Sequence, residues 1–353
     1  RSAIAPVRAF EVPGGPSRLA AEVAEAVLDA LVDREAARRL SRICRLTVAA
    51  TVLAVADARL EAAAVPGGGL GLVVGTEFGD FRSSEQFFAG FLRRGAGGLS
   101  PMTFPNTVMN CMGAVAAIAV GARGPTVTVN QATVAGDLAV ARGAALVAGG
   151  HVAAVLAGGV DELCGPVYRR LAELRMISPT QGGGVEGCRP FAPDHNGPVV
   201  GEGATFLVLE SLDVARRRGA TIHAEILAAA WSSIPVAPHA APRARRDAGS
   251  PVRRVLDQLE LDGREIGRRY GSGNGDPGLD DWEEALLARD LPGDANGARP
   301  PRSLAPLFGQ HGGLGALRVG AAAVEVAGGG GRALVHGIAR GGCRTALVIG
   351  SAA

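Results

Sequence analysis

Short apolar runs separated by helical stretches constrain this chain most. Leu70 to Thr76 and Val152 to Gly159 are apolar at nearly every residue and bounded by glycine or other turn formers. Runs this short read as parallel strands buried on both faces. Val127 to Gln131 reads as a third strand, and Val134 to Ala148 as the helix that follows it. A second cycle starts beyond Glu210, with strands over 224–227, 333–336 and 345–349 and helices over 251–259, 280–290 and 312–326. Strands alternating with helices predict an α/β fold with a largely parallel sheet. The recurrence predicts two duplicated halves, 1–213 and 214–353, joined near Asp213. Residues 18–40 and 45–64 read as amphipathic helices, and the Pro-rich stretches 235–250 and 292–306 as surface excursions.

Composition removes several function classes. A net charge of +2 over 353 residues gives no basic surplus for nucleic acid or an anionic membrane. No apolar run reaches the roughly 18–20 residues that span a bilayer. Cys44, Cys111, Cys164, Cys188 and Cys343 are odd in number and scattered without a CxxC pair. That argues against a disulfide or zinc framework and fits a reducing cytoplasm. Every basic residue is arginine, so Schiff-base and pyridoxal chemistry have no lysine to use. The glycine runs at 67–69, 182–184 and 328–331 match no phosphate or dinucleotide loop. His151, His223, His239 and His336 have no metal-ligand spacing and read as ordinary surface or turn histidines. No cofactor and no metal are expected. The opening Arg1 to Pro6 resembles neither a signal peptide nor an initiator start, so a trimmed N-terminus is expected.

Arg189-Pro190-Phe191-Ala192-Pro193-Asp194 through Gly201-Glu202-Gly203-Ala204 and on to Leu209-Glu210 resembles the RPFD to GEGAG to LVLE signature of β-ketoacyl synthases. Ser100-Pro101 to Asn110, Arg123-Gly124-Pro125-Thr126, Ala157-Gly158-Gly159 to Glu162, and Gly341-Gly342 with Thr345 to Val348 are similar to further motifs of that family, in the same order. The resemblance implies a thiolase-like α-β-α-β-α five-layer sandwich. Within the Gly-Glu-Gly segment, Glu202 reads as a structural hydrogen-bond acceptor.

The same resemblance shows where the family's chemistry is missing. The slot of the nucleophilic cysteine, at the N-terminus of a buried helix, falls on Thr133, a poor acyl acceptor without an adjacent base. Matching Tyr270-Gly271-Ser272-Gly273-Asn274 to the first histidine motif puts Tyr270 in the histidine slot. The second histidine slot falls on Gln310, His311 or Gly312, according to the register chosen. Arg340 stands where the family has a gating phenylalanine, and a buried arginine needs a carboxylate or solvent partner.

Loss of the cysteine on a retained fold resembles the chain-length factors, the non-condensing partners of type II polyketide synthases. They commonly carry glutamine in the cysteine slot, whereas Gln131 here stands two positions earlier. The resemblance implies a heterodimer with a catalytic ketosynthase subunit, formed through an edge strand carrying Val127, Val129 and Gln131. It also implies an acyl carrier protein bearing the growing chain, and a tunnel lined by Val108, Met109, Met112 and Thr133. Met109 and Met112 read as one helical turn apart, as tunnel floor or as plain core. Three rival functions stay open: an acyltransferase using Thr133 or another nucleophile, a decarboxylase, and a structural homodimer.

Overall fold

The computed structural model describes residues 2–12, 14–66, 69–180, 184–237, 240–241, 249–291 and 300–352. His239, Gly67-Gly68, Gly182 and Gly183, and much of the two Pro-rich excursions lie outside them. The chain opens with an antiparallel pair, β1 (Ile4–Pro6) and β2 (Leu19–Ala21). Helices α1 (Glu25–Leu31), α2 (Arg34–Ala37) and α3 (Arg42–Asp57) follow. The expected helix over 18–40 is therefore split. Leu19 to Ala21 is held as strand by β1, and the Ala21 amide donates to the Val200 carbonyl at 3.0 Å, a tertiary pairing that overrides helix propensity.

Next come β3 (Gly71–Thr76), α4 (Phe81–Arg94), α5 (Cys111–Val120), β4 (Thr126–Asn130), α6 (Ala135–Ala148), β5 (Ala154–Asp161), α7 (Gly165–Glu173), β6 (Gly203–Glu210) and α8 (Leu212–Arg217). The four strands form a sheet in the order β4-β3-β5-β6, parallel except for β6. β3 and β5 are buried along their whole length, as their apolar runs require. β4 is the edge strand and keeps exposed residues, Val127 among them at 39%.

The rest of the chain supplies β7 (Glu225–Ser233), α9 (Pro251–Gln258), β8 (Arg268–Tyr270), α10 (Pro277–Asp290), α11 (Ala305–Phe308), α12 (Leu314–Gly329), β9 (Arg332–Ile338) and β10 (Cys343–Gly350). These strands form a second sheet in the order β7-β10-β9-β8. The pattern of a parallel pair followed by an antiparallel neighbour, β3-β5-β6, recurs as β8-β9-β10. Asp213 lies in the first turn of α8, on the connection between the two sheets.

The layers follow from which apolar faces meet. α3 and α5 cover the outer face of the first sheet, packing Ile43, Leu46 and Ala116 on Leu72 and Val74. α9 covers the outer face of the second, with Val252 and Val255 packed among Leu334, Ala346 and Val348. Between the sheets lie α6 and α12, where Ala139, Val140, Ala316 and Val319 join Val73 of one sheet to Val335 and Leu347 of the other. This is the five-layer α-β-α-β-α sandwich. Glycines allow the close approach in the middle: a Cβ on Gly315 would stand 2.3 Å from the Asp137 amide nitrogen. Asp137 in turn forms a wholly buried ion pair with Arg318, whose Nη2 lies 2.6 Å and 2.7 Å from its two oxygens. Among the described residues no helix is long and apolar enough to cross a membrane.

Candidate functional site

The C-terminal ends of β3, β4 and β5 and the N-terminal ends of α6 and α12 converge on one place. Parallel strands leave such a crevice at their carboxyl ends, where loops are free to carry function. Thr133 lies there, two residues ahead of α6, with a φ of 60°. A β-branched residue in the left-handed region is strained, and such strain persists only where the surroundings over-determine it. Val134, next in the chain, is packed against Ala339, just after β9, and Cys343, which opens β10.

The Thr133 amide, aimed outward at a helix N-terminus, is a ready donor for an anion. Here it is already taken: it donates to Oε2 of Glu77 at 3.1 Å. Glu77 stands just beyond β3, and its own amide donates to Asp161 at 3.0 Å. Asp161 ties the site together. It also accepts from the Thr76 hydroxyl at 2.7 Å, the Phe78 amide at 3.2 Å and the Gly312 amide at 2.6 Å. Burial raises the Asp161 carboxyl above its ordinary range. Burial, followed by the charge of Asp161, pushes Glu77 up to about 7.

Two carboxamides close the other side. The Gln310 Nε2 donates to the Thr133 carbonyl at 3.3 Å, and its Oε1 accepts from Asn274 Nδ2 at 3.3 Å. Of the three residues offered by the sequence, Gln310 is thus the one that touches Thr133. His311 is turned toward Gly203, its Nδ1 accepts from the Gly313 amide at 3.1 Å, and burial lowers it to about 4. It is a neutral imidazole at physiological pH. Gly312 presents its amide to Asp161 rather than a side chain to the site.

Tyr270 is elsewhere. It is buried between the sheets with Ala322 and Val326 of α12, and its hydroxyl meets Glu325 and Arg302. Asn274, four residues on, reaches Gln310 instead. Because β8 ends at Tyr270, the chain has to travel past the strand end before it can turn over the crevice. Arg340 is half-buried and has a carboxylate partner: Nε and Nη2 pair with Asp276 at 2.7 Å each. Cys188 donates to the Asn274 carbonyl at 3.3 Å, and burial pushes its thiol up to about 12, so it stays protonated and unreactive.

Other expectations are adjusted by the same geometry. α5 begins at Cys111, so Met109 lies ahead of the helix and does not share a helical face with Met112. Met112 is wholly buried in the core beneath α3, while Met109 is 40% exposed and rests its sulfur against Gly79. Val108 is exposed beside it. His336 is no surface histidine: it is buried, with Nδ1 at 2.9 Å from Glu283. Glu202 is an acceptor, taking the Val23 amide at 2.9 Å, the Leu163 amide at 3.1 Å and the Arg42 guanidinium. Glu77 was not singled out from the sequence. The signal for it was a lone carboxylate directly after a buried strand.

The site holds a strained threonine, two raised carboxyls and two carboxamides. Among the described residues no thiol or imidazole is hydrogen-bonded to Thr133, whose partners are Glu77 and Gln310. The Glu77 shift gives an expected result. A carboxyl raised in the folded state contributes stability that is present below its ordinary value of 4.5 and lost as pH rises through 7. Glu77→Gln should remove that loss, giving about 1–2 kcal/mol relative stabilisation at pH 8 and little at pH 5, after allowing for the solvent contact of this half-buried side chain. Urea unfolding at the two pH values checks it; equal differences at both would refute the assignment.

Comparison with known proteins agrees with this geometry. The Beta-ketoacyl synthase, N-terminal domain family matches residues 11–215. The chain is 30% identical over 334 residues to a putative polyketide beta-ketoacyl synthase 1 of Streptomyces virginiae, covering 92% of this chain and 79% of that protein. It is 31% identical over 228 residues to 3-oxoacyl-acyl-carrier-protein synthase 2 of Synechocystis, where the match takes in 64% of this chain and spans only 55% of that relative. Among solved structures, the ishigamide ketosynthase/chain length factor superposes with a TM-score of 0.85 at 25% identity, over 100% of this chain and 93% of that one. With the layer order, the crevice at the strand ends and these matches in agreement, the chain belongs to the β-ketoacyl synthase family and has its thiolase-like fold.

Proposed function

We propose that this chain is a non-condensing, chain-length-factor-like subunit that pairs with a catalytic β-ketoacyl synthase. The observation that supports it most is at Thr133. Thr133 is held in the left-handed region ahead of α6, its amide is blocked by Glu77 and its carbonyl accepts from the Gln310 carboxamide. A carboxamide neither takes a proton nor becomes charged, and the one carboxylate beside Thr133, Glu77, is engaged by the Thr133 amide. The acyltransferase, decarboxylase and purely structural readings all lack a comparable observation in their favour.

Pairing is supported by an apolar surface. Phe88, Leu92, Met102, Phe104, Val108, Ile118 and Val127 are all exposed, Leu92 and Met102 at 84% and 87%, and all lie between residues 81 and 127. Such a concentration of exposed apolar residues supports an interaction face. It adjoins β4, whose edge carries Val127, Val129 and Gln131 and would extend into the partner's sheet. In this reading the growing chain, delivered by an acyl carrier protein, runs past Val108, Met109 and Thr133, with Met112 backing the wall from the core. The work is done in the cytoplasm, without a cofactor of this chain's own, by two subunits rather than two domains.

Co-expression tests it. Alone, the chain should aggregate or self-associate; with an intact ketosynthase subunit it should co-purify as a one-to-one complex, and that complex should make products the synthase alone does not. A monodisperse, well-folded monomer that ignores the synthase in sedimentation would overturn the proposal.

A further inference from the structure

On the outer face of the first sheet, three helix starts bring two sulfurs and a carboxylate together. Cys44 is in the first turn of α3, and Cys111 opens α5; their Sγ atoms are 3.9 Å apart. Asp80 is the N-cap of α4, and one ligand atom from each of the three residues lies within 4.8 Å of the others. All three are buried, at 1%, 8% and 5% exposure respectively. Tetrahedral zinc with Zn–S bonds of about 2.3 Å holds two sulfurs about 3.8 Å apart, close to the spacing found.

An independent observation comes from Asp80. Its Oδ1 caps α4 by accepting from the Ser83 amide at 2.9 Å, but its Oδ2 is buried without any hydrogen-bond partner. A buried carboxylate oxygen with nothing to compensate it is costly, and a cation is what such an oxygen lacks. The Ser41 hydroxyl, one turn ahead of Cys44, is buried and faces the Cys44 thiol. Arg82 does not supply the missing charge, since it is directed to Glu162 and to the Leu163 carbonyl.

The geometry points to a divalent metal site formed by Cys44, Cys111 and Asp80, of a kind that suits zinc. Two thiolates and one carboxylate are zinc's ordinary donors, and a fourth position stays open for water or the Ser41 hydroxyl. On binding, each coordinating thiol loses its proton to solvent. The ion would clamp α3, α4 and α5 to one another, beneath the apolar face that α4 and α5 present. Neither cysteine announces this in the sequence, because the two stand 67 positions apart. The site is independent of the chemistry at Thr133.

The test is a Co2+ titration of the reduced chain, as purified with its partner subunit, read by the thiolate-to-cobalt charge-transfer band. One Co2+ per chain, displaced by one Zn2+, is expected. Cys44→Ser and Cys111→Ser should each abolish the band or weaken binding at least about a hundredfold. Asp80→Asn keeps the N-cap and should preserve the circular dichroism spectrum while lowering Co2+ affinity at least about tenfold. Reduced protein in which both thiols react with maleimide yet no thiolate band forms would overturn the site. Unchanged Co2+ affinity in folded Asp80→Asn would do the same.

Discussion

Asp137→Asn should lower the unfolding free energy by about 3–5 kcal/mol, the cost of leaving a buried charge without its counter-charge. Arg318 is wholly buried, and its Nε and Nη1 have no hydrogen-bond partner of their own. All of its compensation therefore passes through the one carboxylate, which takes Nη2 on both oxygens. Asparagine fits the space but cannot supply the charge. Replacing both residues together, Asp137→Leu with Arg318→Met, should cost much less, since no uncompensated ion remains. Urea denaturation of the wild type, Asp137→Asn and the double variant decides it. A loss below about 1 kcal/mol for Asp137→Asn would mean that water reaches Arg318.

Restoring the thiol alone should not restore condensation. Thr133→Cys places a sulfur on the elbow, but the amide that would hold an oxyanion still donates to Glu77, and Gln310 and Asn274 still stand opposite. Removing one oxyanion donor costs about 10²–10³ in rate, and a missing acid–base group about 10²–10⁴. The variant should therefore elongate a carrier-bound acyl chain at least about 10⁴-fold more slowly than an intact synthase, even though its new thiol can be alkylated. Turnover within about tenfold of an intact synthase would show that the crevice had kept its chemistry and that the non-condensing reading is wrong.

What the sequence revealed and what it concealed have separate physical causes. β3 and β5 were legible because a strand buried on both faces must be apolar throughout, and α6 because its Ala-, Val- and Leu-rich run is too long for a strand. The segment 18–40 was not, because its Ala- and Leu-rich residues suit helix and strand alike, and pairing with β1 and residue 200 decides the outcome. At the site, Thr133 was singled out by counting from a turn into a strand, and the structure puts it at the strand ends ahead of α6. Tyr270 was misplaced because similar glycines on either side of it allow more than one register, and only the end of β8 shows where the chain leaves the sheet. Glu77 was invisible for a further reason: its role depends on an amide 56 positions away.

The middle layer also bears on how this chain unfolds. α6 comes from the first of the two repeated units and α12 from the second, and each serves as the inner cover for both sheets. Neither unit owns a complete hydrophobic core, so cutting the chain in the α8 region would not release two autonomous folding bodies. Each piece would expose the inner face that the other had covered. The recurring strand pattern is thus a matter of architecture rather than of independent stability, and denaturation of the intact chain should proceed as one cooperative event spanning both sheets.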